Sequence, residues 1–128
     1  MARNPFVKPT TVRLALEHGD WLEVKARLTA GEYRDRLARE YMLNGDTGKH
    51  VVDMRATGFA LVEAYVVAWS FVDASDAVVP FSPDALRAMD ADTFREVLAA
   101  VQAHDVADDA RRSEEKNARG GSTGSERI

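Results

Sequence analysis

The stretch TTVRLALEHGDWLEVKARLTAGE, residues 10–32, limits the possible folds more than any other part of the chain. Val12, Leu14 and Leu16 alternate with Arg13 and Ala15. After Glu17-His18-Gly19-Asp20 the alternation resumes, with Leu22, Val24, Ala26 and Leu28 set against Trp21, Glu23, Lys25 and Arg27. A period of two marks a half-buried strand, and two such runs around a Gly-containing turn predict a β-hairpin. Keeping both apolar sets on one face pairs Leu16 with Leu22, Leu14 with Val24 and Val12 with Ala26. That register leaves a five-residue connection in which Gly19 can take positive φ. Trp21 falls at the turn, on or near the face opposite the core.

The hairpin runs directly into a helix start. Thr29-Ala30-Gly31-Glu32 is a capping box, in which the Thr hydroxyl serves the Glu32 amide and the Glu32 carboxylate reaches back. Tyr33, Leu37 and Tyr41 then recur at every fourth position, a stripe expected to pack on the apolar face of the hairpin. Glu32 with Arg36, Asp35 with Arg39 and Arg36 with Glu40 form exposed pairs one turn apart, each contributing ~0.2–0.5 kcal/mol. Asn44-Gly45-Asp46-Thr47-Gly48 ends this helix in a polar loop.

Residues 51–71 are nearly continuously apolar. Their length favours a helix, and one apolar around most of its circumference belongs at the centre of the fold. Tyr65-Val66-Val67 also fits a strand. Asp73-Ala74-Ser75-Asp76-Ala77 reads as a turn and Val78-Val79-Pro80-Phe81 as a short extended piece. Ser82-Pro83-Asp84 is a helix start with Ser as N-cap. Leu86 and Met89 give that short helix its apolar side. Asp90 to Thr93 opens another, with Phe94, Val97, Leu98 and Val101 as its stripe. After His104 the apolar pattern stops; Asp108 to Lys116 can continue as a frayed helix, and the Gly/Ser-rich stretch Arg119 to Ser125 is expected to remain disordered.

With 128 residues the chain suits one domain. The expected organisation is an extended lead-in over 1–9, a globular unit over 10–104 and a charged flexible tail over 105–128. The globular unit holds the hairpin (10–28) and helices at about 30–43, 51–71, 83–89 and 92–104. The fold class is α+β, mainly α: an N-terminal β-hairpin packed on a small bundle of three to four helices.

Chemistry is sparse. The absence of Cys removes disulfides, thiolate metal sites and cysteine nucleophiles. A net charge of −4, with acid interleaved among the Arg clusters, argues against nucleic acid as a partner. The apolar run at 59–72 is too short to span a bilayer and contains Glu63, so no membrane role is expected. The start shows no secretory signal, and a soluble protein is expected. Gly45-Asp46-Thr47-Gly48-Lys49-His50 departs from a phosphate-binding loop, having Leu43 where the first Gly is needed and His50 where Ser or Thr is needed. His50 with Asp53 lacks a third metal ligand, and His104-Asp105 reads as a helix C-terminal His beside a solvated acid. Glu63, amid apolar neighbours, is either a carboxyl with a raised pKa or, as such residues usually are, one paired with an Arg or set on a polar edge. No catalytic, cofactor or metal site is expected. Trp21 either folds back over the core or anchors a partner. The candidate partner-binding residues are therefore His18, Asp20 and Trp21 at the hairpin tip and Tyr33, Leu37 and Tyr41 on the first helix.

The succession of signals resembles a known family. "VRLALEHGDWLEVKARLTAGE" leads to a helix, then to an apolar segment ending in Trp69-Ser70-Phe71-Val72-Asp73. "VPFSPDALRAMDADTFREVLAAV" and the charged end "EEKNARGGSTGSE" follow. This order resembles the small tail assembly chaperones of long-tailed (siphovirus-like) bacteriophages. The resemblance implies a non-enzymatic protein of the host bacterial cytoplasm, absent from the mature virion. Such a protein binds the tape measure protein, promotes polymerisation of the tail tube protein and can self-associate. Many members have a second, longer form made by translational frameshifting. Rival readings are a structural head–tail or tail component of the virion and a bacterial regulatory interaction module.

Overall fold

A computed structural model describes residues 3–43, 50–52 and 54–125. The elements run β1 (Thr11–Ala15), β2 (Trp21–Lys25), α1 (Ala30–Glu40), β3 (Tyr41–Leu43), β4 (His50–Val52), α2 (Met54–Tyr65), β5 (Val66–Trp69), α3 (Pro83–Ala88) and α4 (Ala91–Ser125). The fold is α+β and mainly α, with an antiparallel three-stranded sheet near the N-terminus and four α-helices.

β1 and β2 form the expected hairpin in a tighter register. Leu14 pairs with Leu22 and Val12 with Val24, so the partners differ by two residues from those the apolar pattern suggested. The Leu16 amide donates to the Asp20 carbonyl at 2.8 Å, leaving three residues in the turn. Two of them have positive φ, His18 at 60° and Gly19 at 83°, and together they reverse the chain within that length. A slip of two leaves every side chain on its original face, so apolar pairing alone cannot separate the registers. Leu22 and Val24 are fully buried, while Trp21, Glu23 and Lys25 lie on the other face.

The segment 51–71 is not one helix. His50-Val51-Val52 is strand β4, paired with Tyr41-Met42-Leu43. α2 then ends at Tyr65, and Val66–Trp69 joins the sheet beside β2. β-branched residues favour this pleated position, and the free side of β2 supplies the backbone partners. Val24 faces Val66 and Glu23 faces Ala68, which makes Val67 an extra, bulged residue. The bulge allows Val66 and Trp69, three residues apart, to point into the core together.

The strand β3 also shortens the first helix, expected over 30–43, to Ala30–Glu40. Tyr41 therefore belongs to a strand and does not continue the helical stripe of Tyr33 and Leu37. α1 packs against α2, and neither Tyr33 nor Leu37 joins the main apolar cluster. The loop 44–48 and Asp53 lie outside the described residues.

The helix starts form as their local chemistry dictates. Thr29 Oγ1 accepts from the Glu32 amide at 3.1 Å, and Glu32 Oε1 accepts from the Thr29 amide at 2.9 Å. Ser82 Oγ accepts from the Ala85 amide at 3.0 Å, with Pro83 in the first turn. Asp90 Oδ1 accepts from the Thr93 amide at 2.9 Å.

The last helix does not stop at 104. It continues through 105–125, residues expected to belong to a flexible tail. Val97, Val101, Asp105 and Asp108, spaced by four, four and three, form one buried line. The stripe changes from apolar to acidic and stays inside. The Tyr65 hydroxyl donates to Asp105 Oδ1 at 2.7 Å, and Arg36 Nη1 donates to the same oxygen at 3.0 Å. Arg111 Nη2 donates to Asp108 Oδ1 at 2.8 Å, and Arg27 Nε lies 3.4 Å from that atom. His104 is a mid-helix residue, and its Nε2 meets the Lys25 carbonyl at 2.9 Å and must be its protonated nitrogen. This cluster joins α1, α2, α4 and the end of β2.

Burial first, and then the bond to Asp105, push the Tyr65 hydroxyl well above its ordinary pKa of 10.0. A raised folded-state pKa gives stability that is complete below the unfolded value and is lost as pH rises. In an alkaline titration, one of the three tyrosines should remain silent until the chain unfolds. Tyr65→Phe should abolish that coupled phase. Ionisation of Tyr65 in a chain that keeps its circular dichroism would contradict this.

Candidate functional site

The six residues singled out in the sequence occupy four places. His18 and Asp20 lie at the hairpin tip, beside a groove formed with α3 and the start of α4. Trp21 lies on the outer face of the sheet. Tyr33 and Leu37 lie on α1. Tyr41 lies in β3, and its side chain falls outside the described features.

The hairpin tip is tied down from the sheet side. The Trp21 amide donates to Ser70 Oγ at 2.9 Å, and that hydroxyl donates to Asp20 Oδ1 at 3.0 Å. The Ser70 amide returns a bond to the Trp21 carbonyl at 3.1 Å. On the far side, Glu96 Oε1 accepts from the Glu17 amide at 2.7 Å, linking the turn to α4. His18 stays exposed, in the left-handed conformation.

On the outer face, the Arg13 guanidinium lies 3.7 Å from the centroid of the Trp21 ring. Such stacking contributes about 0.5–1 kcal/mol at an exposed site. Arg13, Ala15 and the bulged Val67 are exposed, and Glu23 and Lys25 share this face with Trp21, so it mixes apolar and charged groups. On α1, Tyr33 lies beneath the guanidinium groups of Arg36 and Arg112, at 5.8 and 5.6 Å.

The groove at the tip, about 440 Å³, has an apolar floor of Trp69, Phe71, Val79 and Met89. Trp69 is nearly fully buried and donates its indole N–H to the Val79 carbonyl at 2.6 Å. Phe71 and Phe81 meet its ring edge-on, with centroids 5.3 and 5.0 Å away. Asp20, Asp90 and Glu96 border this floor, and no Lys or Arg is among the described residues lining it. Bonds from Thr93 keep the Asp90 carboxyl below the usual carboxylate range, so it remains charged. Sequence reasoning missed this groove. Its signal lay in Val78-Val79-Pro80-Phe81, an extended piece that folds back so that Val78 bridges Val72 and Val79 donates to Phe71.

Glu63 pairs with Arg39, its carboxylate almost wholly buried. Beside it, Glu32 is paired with Lys25. Burial opposes ionisation of Glu32, but the bonds from Lys25 and Thr29 outweigh it and hold the carboxyl below its ordinary value. Among the described residues no group of three or more His, Cys, Asp or Glu is placed to hold a metal ion. No described helix is long and apolar enough to cross a membrane.

No protein-family model, no curated protein and no solved structure matches this chain.

Proposed function

We propose that this chain is a non-enzymatic assembly chaperone of a long bacteriophage tail. In this reading it works in the host cytoplasm and is left out of the finished particle. It holds the tape measure protein soluble while tail tube subunits polymerise around it. The observation that supports this best is the outer face of the sheet, where the Trp21 ring lies under the Arg13 guanidinium, opposite exposed Ala15 on β1. An aromatic ring capped by a cation suits the apolar face of an amphipathic helix that carries acidic residues at its border.

Trp21→Ala should reduce co-purification of a co-expressed tape measure protein by at least about tenfold, the loss typical of an aromatic interface anchor. Its circular dichroism should stay unchanged, since the contacts of Trp21 with Ser70 are made by the backbone. Equal capture by the folded variant would refute the surface assignment. Recovery of the chain from purified mature particles would favour a structural virion role instead.

A further inference from the structure

Residues 3–9 form an arm without regular secondary structure, bent at Phe6, whose amide donates to Asn4 Oδ1 at 3.1 Å, and rooted where the Ala26 amide donates to the Thr10 carbonyl at 2.9 Å. The arm reads Arg-Asn-Pro-Phe-Val-Lys-Pro, with two cations, no acid and Phe6 left 84% exposed. An aromatic ring this exposed, flanked by cations and by two prolines that keep the arm from becoming helical, can serve as an anchor for an acidic, apolar-floored partner surface. The recess along which the arm lies is lined by the arm's own Phe6, Val7 and Lys8 with Thr10, Ala26, Arg27 and Arg111, and offers no carboxylate among its described lining residues. The groove at the hairpin tip has the opposite character, with an aromatic floor, three carboxylates and no described Lys or Arg.

We propose that the arm of a second copy of this chain occupies that groove. Phe6 enters over Trp69, Phe71 and Met89, while Arg3 and Lys8 meet Asp20, Asp90 and Glu96. The charges are complementary in sign, and the volume of about 440 Å³ falls within the range of about 300–1,000 Å³ typical of binding pockets. The arm is rooted at the Thr10–Ala26 end of the hairpin, whereas the groove lies at its Leu16–Asp20 end. Docking therefore joins two different surfaces of neighbouring copies. A seven-residue arm covers far less than a standard interface of about 800 Å² per partner, so the association is weak and concentration-dependent. This inference is independent of the identity of any tail partner.

The test uses the full chain in analytical ultracentrifugation over a wide concentration range. Wild-type protein should self-associate, less strongly as salt is raised. Phe6→Ala removes the anchor, and Ala88→Arg places a cation at an exposed groove position at the end of α3. Both positions are exposed, so circular dichroism should match that of wild type. Each variant alone should associate at least about tenfold more weakly. Mixing the two should restore association, because one supplies an intact arm and the other an intact groove. A monomeric wild type at all concentrations would overturn the proposal. So would self-association that both variants retain, which would place the interface elsewhere, or a mixture no stronger than the single variants.

Discussion

Trp69→Ala is expected to cost about 3–5 kcal/mol of folding stability, the range for removing a buried aromatic side chain. A domain of this size has about 5–15 kcal/mol in total, so the variant should lie close to the edge of folding. The reason is the position of the ring. It is 3% exposed, pairs through its strand with Leu22, and carries Phe71 and Phe81 on its edges. Truncation opens a cavity and also removes the donor to the Val79 carbonyl. Trp69→Phe should cost less, about 1–3 kcal/mol, because most of the apolar volume remains and the unpaired carbonyl is the main loss. Urea denaturation followed by circular dichroism measures both. A Trp69→Ala chain within 1 kcal/mol of wild type, on the order of an ordinary surface change, would mean the ring is not a core element.

Asp108→Ala is expected to lower stability by about 2–4 kcal/mol, although aspartate to alanine is commonly mild on a surface. The Asp108 side chain has no exposure and receives Arg111 at 2.8 Å, with Arg27 at 3.4 Å. Removing it leaves cations facing a buried void, which costs more than the pair itself contributes. Arg27 and Arg111 are themselves 28% and 50% exposed and can turn toward water, which holds the loss below the extreme values for buried pairs. The pair between Arg95 and Asp92, whose side chains are 74% and 91% exposed, provides the control. Breaking it should change stability by less than about 1 kcal/mol. Equal effects at the two sites, measured by thermal melts, would contradict the burial argument.

Local signals were readable because both partners lie within four residues. The capping box at Thr29 and Glu32, the Ser82 cap and the Asp90 cap each depend on an i to i+3 geometry that neighbouring residues define. The hairpin's buried face was readable for the same reason, since alternation needs no distant information. Its register was not, because a slip of two leaves Val12, Leu14, Leu22 and Val24 on the same face. Val66 and Val67 also fit a strand although the length of the apolar run favoured a helix, and the free side of β2 decided between them. Of the candidate partner residues, His18 and Asp20 border the groove, while Trp21 faces the other way across the sheet. The floor of that groove could not be foreseen, because Trp69, Val79 and Met89 come from three separate segments.

By itself, then, the sequence determined the mixed α+β class, the front hairpin with its inward face, and the three capped helix starts. All are consequences of short-range periodicity and side-chain-to-backbone bonding. Tertiary structure alone decided the fate of the acidic line at Asp105 and Asp108. Read along the chain, these residues look like the beginning of a solvated tail. In the fold they continue the helical spacing of Val97 and Val101 and meet Tyr65, Arg36, Arg27 and Arg111, which come from distant parts of the chain. A carboxylate stays in water unless partners compensate its desolvation, and those partners exist only once β2, α1 and α2 have assembled around α4.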